Sequence, residues 1–175
     1  AARVCPWWLG YFLASPLRRF AHDPQRIVGP HLKPGATALD FGCGMGHFSL
    51  PMARMVGETG RVVCVDIQQR MLAALERRAA RAGLQGRLEL RRATERDHGL
   101  AGLAGQVDFA LAFAVVHEVP DPARLLVALA AVVKRGGRLL LEDFGRDPVG
   151  LGEVPRVSGG ADPAERAEAV VEADR

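Results

Sequence analysis

The chain has 175 residues, enough for one domain with a sizeable core. Hydrophobic residues make up 49% and charged residues 25% of the sequence, which is ordinary for a globular protein. The net charge is only +3, and the arginines are spread along the chain rather than gathered in a basic stripe, so we expect no nucleic-acid partner.

The first segment, residues 1–34, is rich in aromatic residues and interrupted by prolines. Its apolar run is far shorter than the ~20 residues needed to cross a bilayer, so no membrane span is predicted. Short helices are expected at 16–21 and 25–32. Both tryptophans and the only tyrosine lie in this segment. They form either a lid over an apolar substrate pocket or the packing face of a helix.

Three cysteines, Cys5, Cys43 and Cys64, lie far apart and show no C-x-x-C spacing. Their odd number favours reduced thiols in a cytoplasmic protein over a disulfide framework. A set of Cys5 with His22 and His31 fits no recognised zinc spacing, so no metal site is predicted. The oligomeric state is left open.

From residue 35 to residue 145 the chain alternates apolar strands with helices, and we interpret this stretch as the core of the domain. Strands are predicted at 36–41, 61–65, 87–91, 107–114 and 138–142, and helices at 48–56, 71–82 and 123–133. This alternation predicts an α/β fold, a doubly wound, mostly parallel Rossmann-like sheet with helices on both faces.

The strands also differ in their hydrophobic pattern. The third alternates polar and apolar residues, which is typical of an edge or half-exposed strand, while the fourth is nearly continuously apolar and therefore central. In such a sheet a ligand lies at the carboxyl ends of the strands, beside the first strand.

The pattern changes after residue 145. Asp162, Pro163 and Glu165 predict the start of one short helix, and no strand pattern follows. We therefore interpret residues 146–175 as an irregular tail with a short C-terminal helix.

The most informative feature is a glycine-rich turn after the first strand, with Gly42, Gly44 and Gly46 at alternate positions. Glycine has no Cβ, so the backbone can approach a ligand closely. The second strand ends in Asp66, and 66 − 46 = 20 positions separate it from Gly46. A nucleotide-binding fold places a carboxylate against a ribose at this separation.

The bulky His47 occupies the place where the dinucleotide motif requires a third glycine or alanine, which disfavours a nicotinamide oxidoreductase. What remains, Asp40 followed by three alternate glycines, resembles the first motif of the class I S-adenosylmethionine-dependent methyltransferases. Asp66 matches their second motif. The resemblance covers roughly residues 32–143 and implies S-adenosylmethionine as cofactor, with methyl transfer to a small molecule by in-line displacement.

Two stretches, 62–72 and 107–121, resemble the ubiquinone/menaquinone or arsenite methyltransferase branch. An arsenite enzyme requires a set of ligand cysteines, and none is evident here. Family members usually end in a β-hairpin that completes the sheet. Because no strand pattern follows residue 143, we expect that hairpin to be absent.

The resemblance implies roles for individual residues near the cofactor. Asp66 would accept hydrogen bonds from both ribose hydroxyls, since a carboxylate has two acceptor oxygens. Asp40 would bind loop N–H groups, or the cofactor's ammonium through water. Ile67 either packs on the adenine face or belongs to the core.

The family's third motif usually offers an acid or amide to the adenine amino group. Here Thr94, Glu95 and Asp97 are alternatives for that contact, and a solvated polar loop is the other interpretation.

Beyond the fourth strand, Phe113 would line the cofactor site. His117 and Glu118 are the candidate catalytic residues, because histidine suits proton removal near neutral pH. The alternative is a His–Glu pair with structural hydrogen bonds, and Asp143 is a weaker candidate for catalysis. A non-catalytic or truncated cofactor-binding domain is the second functional hypothesis: the missing hairpin favours it, and the intact motifs oppose it.

Overall fold

A computed structural model of the protein describes residues 23–94 and 97–142, except for the side chains of His117 and Glu142. In chain order the regular elements are α1 (Pro24–Val28), β1 (Thr37–Phe41), α2 (Ser49–Met55), β2 (Arg61–Asp66), α3 (Gln69–Arg81), β3 (Leu88–Arg92), β4 (Val107–Phe113), α4 (Pro122–Val132) and β5 (Val133–Glu142). Short 3₁₀ turns occupy Gly29–His31, Gln85–Arg87 and Val116–Glu118. The expected aromatic lid, Asp143, the tail and the segment in which a closing hairpin was expected to be absent lie outside the described residues.

The five strands form one parallel sheet in the order β3-β2-β1-β4-β5. The chain therefore winds outward from β1 through β2 to β3, then returns to the other side of β1 with β4. This is the doubly wound topology predicted from the sequence. As predicted, the third strand lies at an edge of the sheet and the fourth lies inside it.

Side chains that alternate along the strands divide the core into two layers, as a period of two requires. Along β1, Ala38 packs into one layer and Leu39 into the other. The first layer is completed by α2 and α3, through Met52, Leu72 and Leu75. The second is completed by α4, through Leu125, Leu129 and Val132. The sheet is thus covered by helices on both faces, and ligand access is left to the strand ends.

The predicted helix at 25–32 is divided in two. The α-helix ends at Val28 and a 3₁₀ turn follows over Gly29–His31. Pro30 lies in this turn, and a proline has no N–H to continue the α-helical hydrogen bonds.

The predicted boundary between the last helix and the last strand was wrong. The helix ends at Val132, and β5 starts directly at Val133 rather than at Arg138. Pairing with β4 shifts from Val107↔Val133 to Phe109↔Arg138, so the residues between form an irregularity inside the strand. Gly137 makes this possible, because a Cβ there would lie 2.7 Å from Val133 Cγ1.

No helix in residues 23–94 and 97–142 is long and apolar enough to cross a membrane.

Candidate functional site

The glycine-rich turn connects β1 to α2 at the carboxyl edge of the sheet. Gly42, Gly44 and Gly46 all have positive φ, at 77°, 52° and 85°, where residues with a side chain are strained. A Cβ on Gly42 would lie 2.6 Å from Val115 Cγ2, and one on Gly46 would collide with the Leu75 side chain. A Cβ on Gly44 would meet nothing within 4 Å. Two glycines thus serve packing, and Gly44 alone of the three faces open space.

Asp66, at the end of the neighbouring strand β2, is hydrogen-bonded to this turn. Its Oδ2 accepts the Gly44 N–H at 2.9 Å, and its Oδ1 accepts the Gln68 N–H at 2.8 Å. The carboxyl is buried, and this burial raises its pKa above the ordinary 3.8, against the backbone N–H groups of Gln68, Gly44 and Ile67, which lower the pKa. The ionised Asp66 carboxylate therefore has little contact with water, and additional hydrogen-bond donors would stabilise it.

Asp40 lies under the turn and is only 2% exposed. Its Oδ2 accepts the hydroxyl of Ser49 at 2.5 Å. Ser49 is the first residue of α2, so this bond ties the strand to the start of the helix. Sequence analysis missed Ser49, although a hydroxyl at a predicted helix start near a strand acid was a usable signal. A contact between Asp40 and the cofactor stays a prediction.

Ile67 follows Asp66 directly and is 37% exposed, one of the two exposed large hydrophobic side chains among the described residues. Of the two interpretations of this residue, the core position is therefore wrong. An exposed apolar side chain therefore comes directly after the buried acid, at the strand ends where a ligand crevice is expected.

The segment after β3 is held to the site by its backbone, because the Ala93 N–H donates to the Asp66 carbonyl at 3.0 Å. Beyond it, Asp97 donates its N–H to the Thr94 hydroxyl at 3.0 Å, and its Oδ1 accepts the Gly99 N–H at 2.9 Å. Thr94 and Asp97 thus form a hydrogen-bonded turn. Glu95 lies outside the described residues.

The end of β4 lies beside the glycine turn, on the opposite side of β1 from Asp66. Phe113 is buried, and its ring centroid lies 4.6 Å from that of Phe48. Ala114 then adopts φ 54°, the one positive φ of a non-glycine residue in the described chain. Such strain persists where the surroundings hold it and is often found at functional sites. Val115 follows and packs against Gly42.

His117 and Glu118 lie in the 3₁₀ turn Val116–Glu118, which begins two residues after the strained Ala114. Glu118 is half-buried. The fold therefore brings the backbone of both candidate catalytic residues to the edge of the sheet that carries Gly44 and Asp66.

Sequence analysis also missed His98. Its ring packs edge-on against Phe41, with centroids 6.2 Å apart, and its Nε2 is buried with no hydrogen-bond partner among the described residues. Burial, assisted by the Arg124 charge, lowers the pKa of this histidine below the ordinary 6.5, while Asp97 and Asp121 oppose that shift. A single histidine in a polar loop has no sequence pattern that reveals such burial.

We expect His98 to lower the free energy of unfolding as the solution becomes acidic. The unfolded chain binds a proton at this residue more readily than the folded chain, so stability is fully present above pH 6.5 and is lost as pH falls below it. His98→Phe should keep the contact with Phe41 and reduce this loss. Urea unfolding at about pH 8 and about pH 5.5 measures the difference between the two proteins. An equal loss of stability in both would contradict the expectation.

The sequence profile of a family described as a methyltransferase domain matches residues 39–141, more than half of the chain. The chain belongs to the class I S-adenosylmethionine-dependent methyltransferases. The predicted family resemblance is thereby confirmed, and the matched residues include the glycine turn, Asp66 and the segment that follows β4.

Individual methyltransferase relatives agree with this membership. A ubiquinone biosynthesis O-methyltransferase of Xanthomonas axonopodis pv. citri is 31% identical over 151 residues, which are 85% of this chain and 60% of that enzyme. A SAM-dependent methyltransferase from Aquifex aeolicus is 25% identical, with a TM-score of 0.75 over 97% of this chain and 88% of that chain.

The relatives differ from this chain in length, and one structural neighbour is named for a different reaction. The chain spans between 45% and 62% of the length of the ubiquinone biosynthesis O-methyltransferases it matches. The [4+2]-cyclase SpnF has the same fold, with 24% identity and a TM-score of 0.62 over 86% of this chain and 56% of that chain. A methyltransferase fold therefore also occurs in a protein named for another reaction.

Proposed function

We propose that this methyltransferase-family chain binds S-adenosylmethionine at the carboxyl edge of the sheet and transfers its methyl group to a small molecule. One observation carries the proposal. Gly44 faces open space with no atom within 4 Å of a Cβ position, while its N–H is held by the buried carboxylate of Asp66. Glycine has no side chain, and here it lies next to a buried carboxylate. This arrangement suits a ligand that brings hydroxyl donors close to the main chain.

The residues present fit this cofactor. The Asp66 oxygens accept the Gly44 and Gln68 N–H groups, and a carboxylate has further acceptor sites, so acceptor capacity remains for ribose hydroxyl donors. The exposed Ile67 would cover one face of the adenine. The open side of Gly44 would accommodate the methionine portion of the cofactor.

The methyl acceptor we propose carries a hydroxyl group, since the Xanthomonas relative is named an O-methyltransferase. When bound, S-adenosylmethionine supplies a methyl carbon already activated by its positive sulfonium. The chain then has to align the acceptor oxygen and remove its proton. The cofactor would supply the methyl carbon together with its thioether as leaving group, and the chain's own part would be to take the acceptor's hydroxyl proton on His117, with Glu118 as the second candidate.

A second function is supported by one observation: the fold also occurs in a protein named as a cyclase. A domain that binds the cofactor without methyl transfer fits this observation. Binding without turnover over a panel of small phenols and other hydroxyl compounds would favour this alternative.

The cofactor site is tested by Asp66→Ala, with titration calorimetry against S-adenosylhomocysteine. Hydrogen bonds to a charged acceptor contribute about 1.5–3 kcal/mol, so we expect affinity to fall roughly 10- to 150-fold. Tight binding of NAD by the unaltered chain, with no response to S-adenosylhomocysteine, would overturn the proposed function itself.

Asp108→Ala is the matched control for Asp66→Ala. Asp108 also accepts a backbone N–H, from Thr37 at 2.8 Å, and pairs with Lys134 at 2.7 Å, but it lies at the opposite end of the strands. This variant should lose stability and keep its affinity. Unchanged affinity in a folded Asp66→Ala chain would remove Asp66 from the site.

A further inference from the structure

The glycine turn is held on a second side, away from Asp66. Met45 lies between Gly44 and Gly46, and its side chain is only 5% exposed. It packs with Met71 and Ala74 of α3 in a small separate cluster. The turn is therefore anchored to a helix as well as to the neighbouring strand.

Arg78, one turn further along α3, makes a second contact between this helix and the glycine turn. It lies four positions after Ala74, so the two residues share one face of the helix. Its guanidinium Nη1 donates a hydrogen bond to the Met45 carbonyl, 33 positions away in the sequence. The side chain is half-buried, which reduces competition from water for this bond.

This hydrogen bond completes the attachment of one peptide group. The Met45 carbonyl belongs to the peptide that also carries the Gly46 N–H, and that N–H donates to the Cys43 carbonyl at 2.9 Å. Arg78 thus fixes the oxygen end of a peptide whose nitrogen end is already bonded. Asp66 fixes the preceding part of the turn through the Gly44 N–H.

We propose that Arg78 is a positioning residue for cofactor binding, which holds the peptide between Met45 and Gly46 so that Gly44 keeps its open side toward the crevice. The inference rests on the proposed function, because it assigns Arg78 to the S-adenosylmethionine site. A turn with three positive-φ glycines is intrinsically free to move, and each fixed peptide lowers the entropy lost when a ligand orders it.

The test compares Arg78→Ala and Arg78→Lys with Arg77→Ala. Arg77 is the exposed neighbour on the same helix, so its removal changes the net charge equally. Calorimetry measures S-adenosylhomocysteine affinity, hydrogen exchange without ligand follows the Gly46 amide, and thermal melts report stability. We expect Arg78→Ala to weaken binding roughly 3- to 30-fold and to speed exchange at Gly46, with Arg78→Lys in between and Arg77→Ala unchanged.

Two results would overturn the inference. One is an Arg78→Ala chain with the exchange rate and affinity of the unaltered protein. The other is an equal loss of affinity in Arg77→Ala, which would assign the effect to net charge. If the unaltered chain binds no S-adenosylhomocysteine, the proposed function fails. In that case the exchange rate of the Gly46 amide still tests Arg78, because an unchanged rate in Arg78→Ala would show that Arg78 does not hold the turn.

Discussion

Replacing Gly44 with valine is expected to abolish binding of S-adenosylmethionine and S-adenosylhomocysteine. The backbone at this position has φ 52°, a conformation that β-branched residues rarely adopt. The new side chain would also project into the space that is open beside Asp66, where the proposed site has to admit the cofactor. Strain and occupied volume act in the same direction, so we expect no measurable heat of binding in calorimetry.

Gly57→Val separates these two causes. Gly57 also has positive φ, 70°, and a Cβ there would likewise meet nothing within 4 Å. It lies between α2 and β2, at the edge of the sheet away from the crevice. Both variants should therefore lose comparable thermal stability, and only Gly44→Val should lose binding. Native affinity in a folded Gly44→Val chain would mean that the turn does not touch the ligand.

His117→Ala is expected to lower turnover roughly 10²–10⁴-fold while cofactor affinity stays nearly unchanged. The backbone of His117 follows the strained Ala114 at the end of β4, on the edge of the sheet that carries Gly44 and Asp66. Transfer to a hydroxyl requires removal of its proton, and an imidazole is suited to this near neutral pH. Initial rates with a hydroxyl compound that the chain methylates, together with calorimetry, measure the two quantities.

The pH profile of the rate distinguishes a base from a structural residue. A base at His117 produces an acid limb in the rate of the unaltered enzyme, and the alanine variant should lose this limb. If His117 instead orders the 3₁₀ turn, the variant should melt at lower temperature and retain most of its rate per folded molecule. Glu118→Gln is the companion variant, because Glu118 is the other titratable candidate in the same turn.

Local patterns in the sequence predicted most of the architecture. Strand and helix periods differ, so the apolar residues of Val107–Phe113 and the helical spacing from Met71 onward marked their elements close to the observed bounds. The alternating glycines and the acid at the end of β2 marked the cofactor motif, because backbone freedom and a terminal carboxylate are properties of single positions. Family membership followed from these features.

The tertiary structure alone decided which contacts these residues make. The three glycines are equivalent in sequence, yet Gly42 packs on Val115, Gly46 packs against Leu75, and Gly44 stays open. The bond from Arg78 to Met45 and the packing of the half-buried His98 ring against Phe41 join residues with no local relationship. The start of β5 at Val133 likewise depends on pairing with β4. Periodicity and turn chemistry act over a few neighbouring residues, whereas these features arise from packing between segments that are distant in sequence, which only the assembled fold brings together.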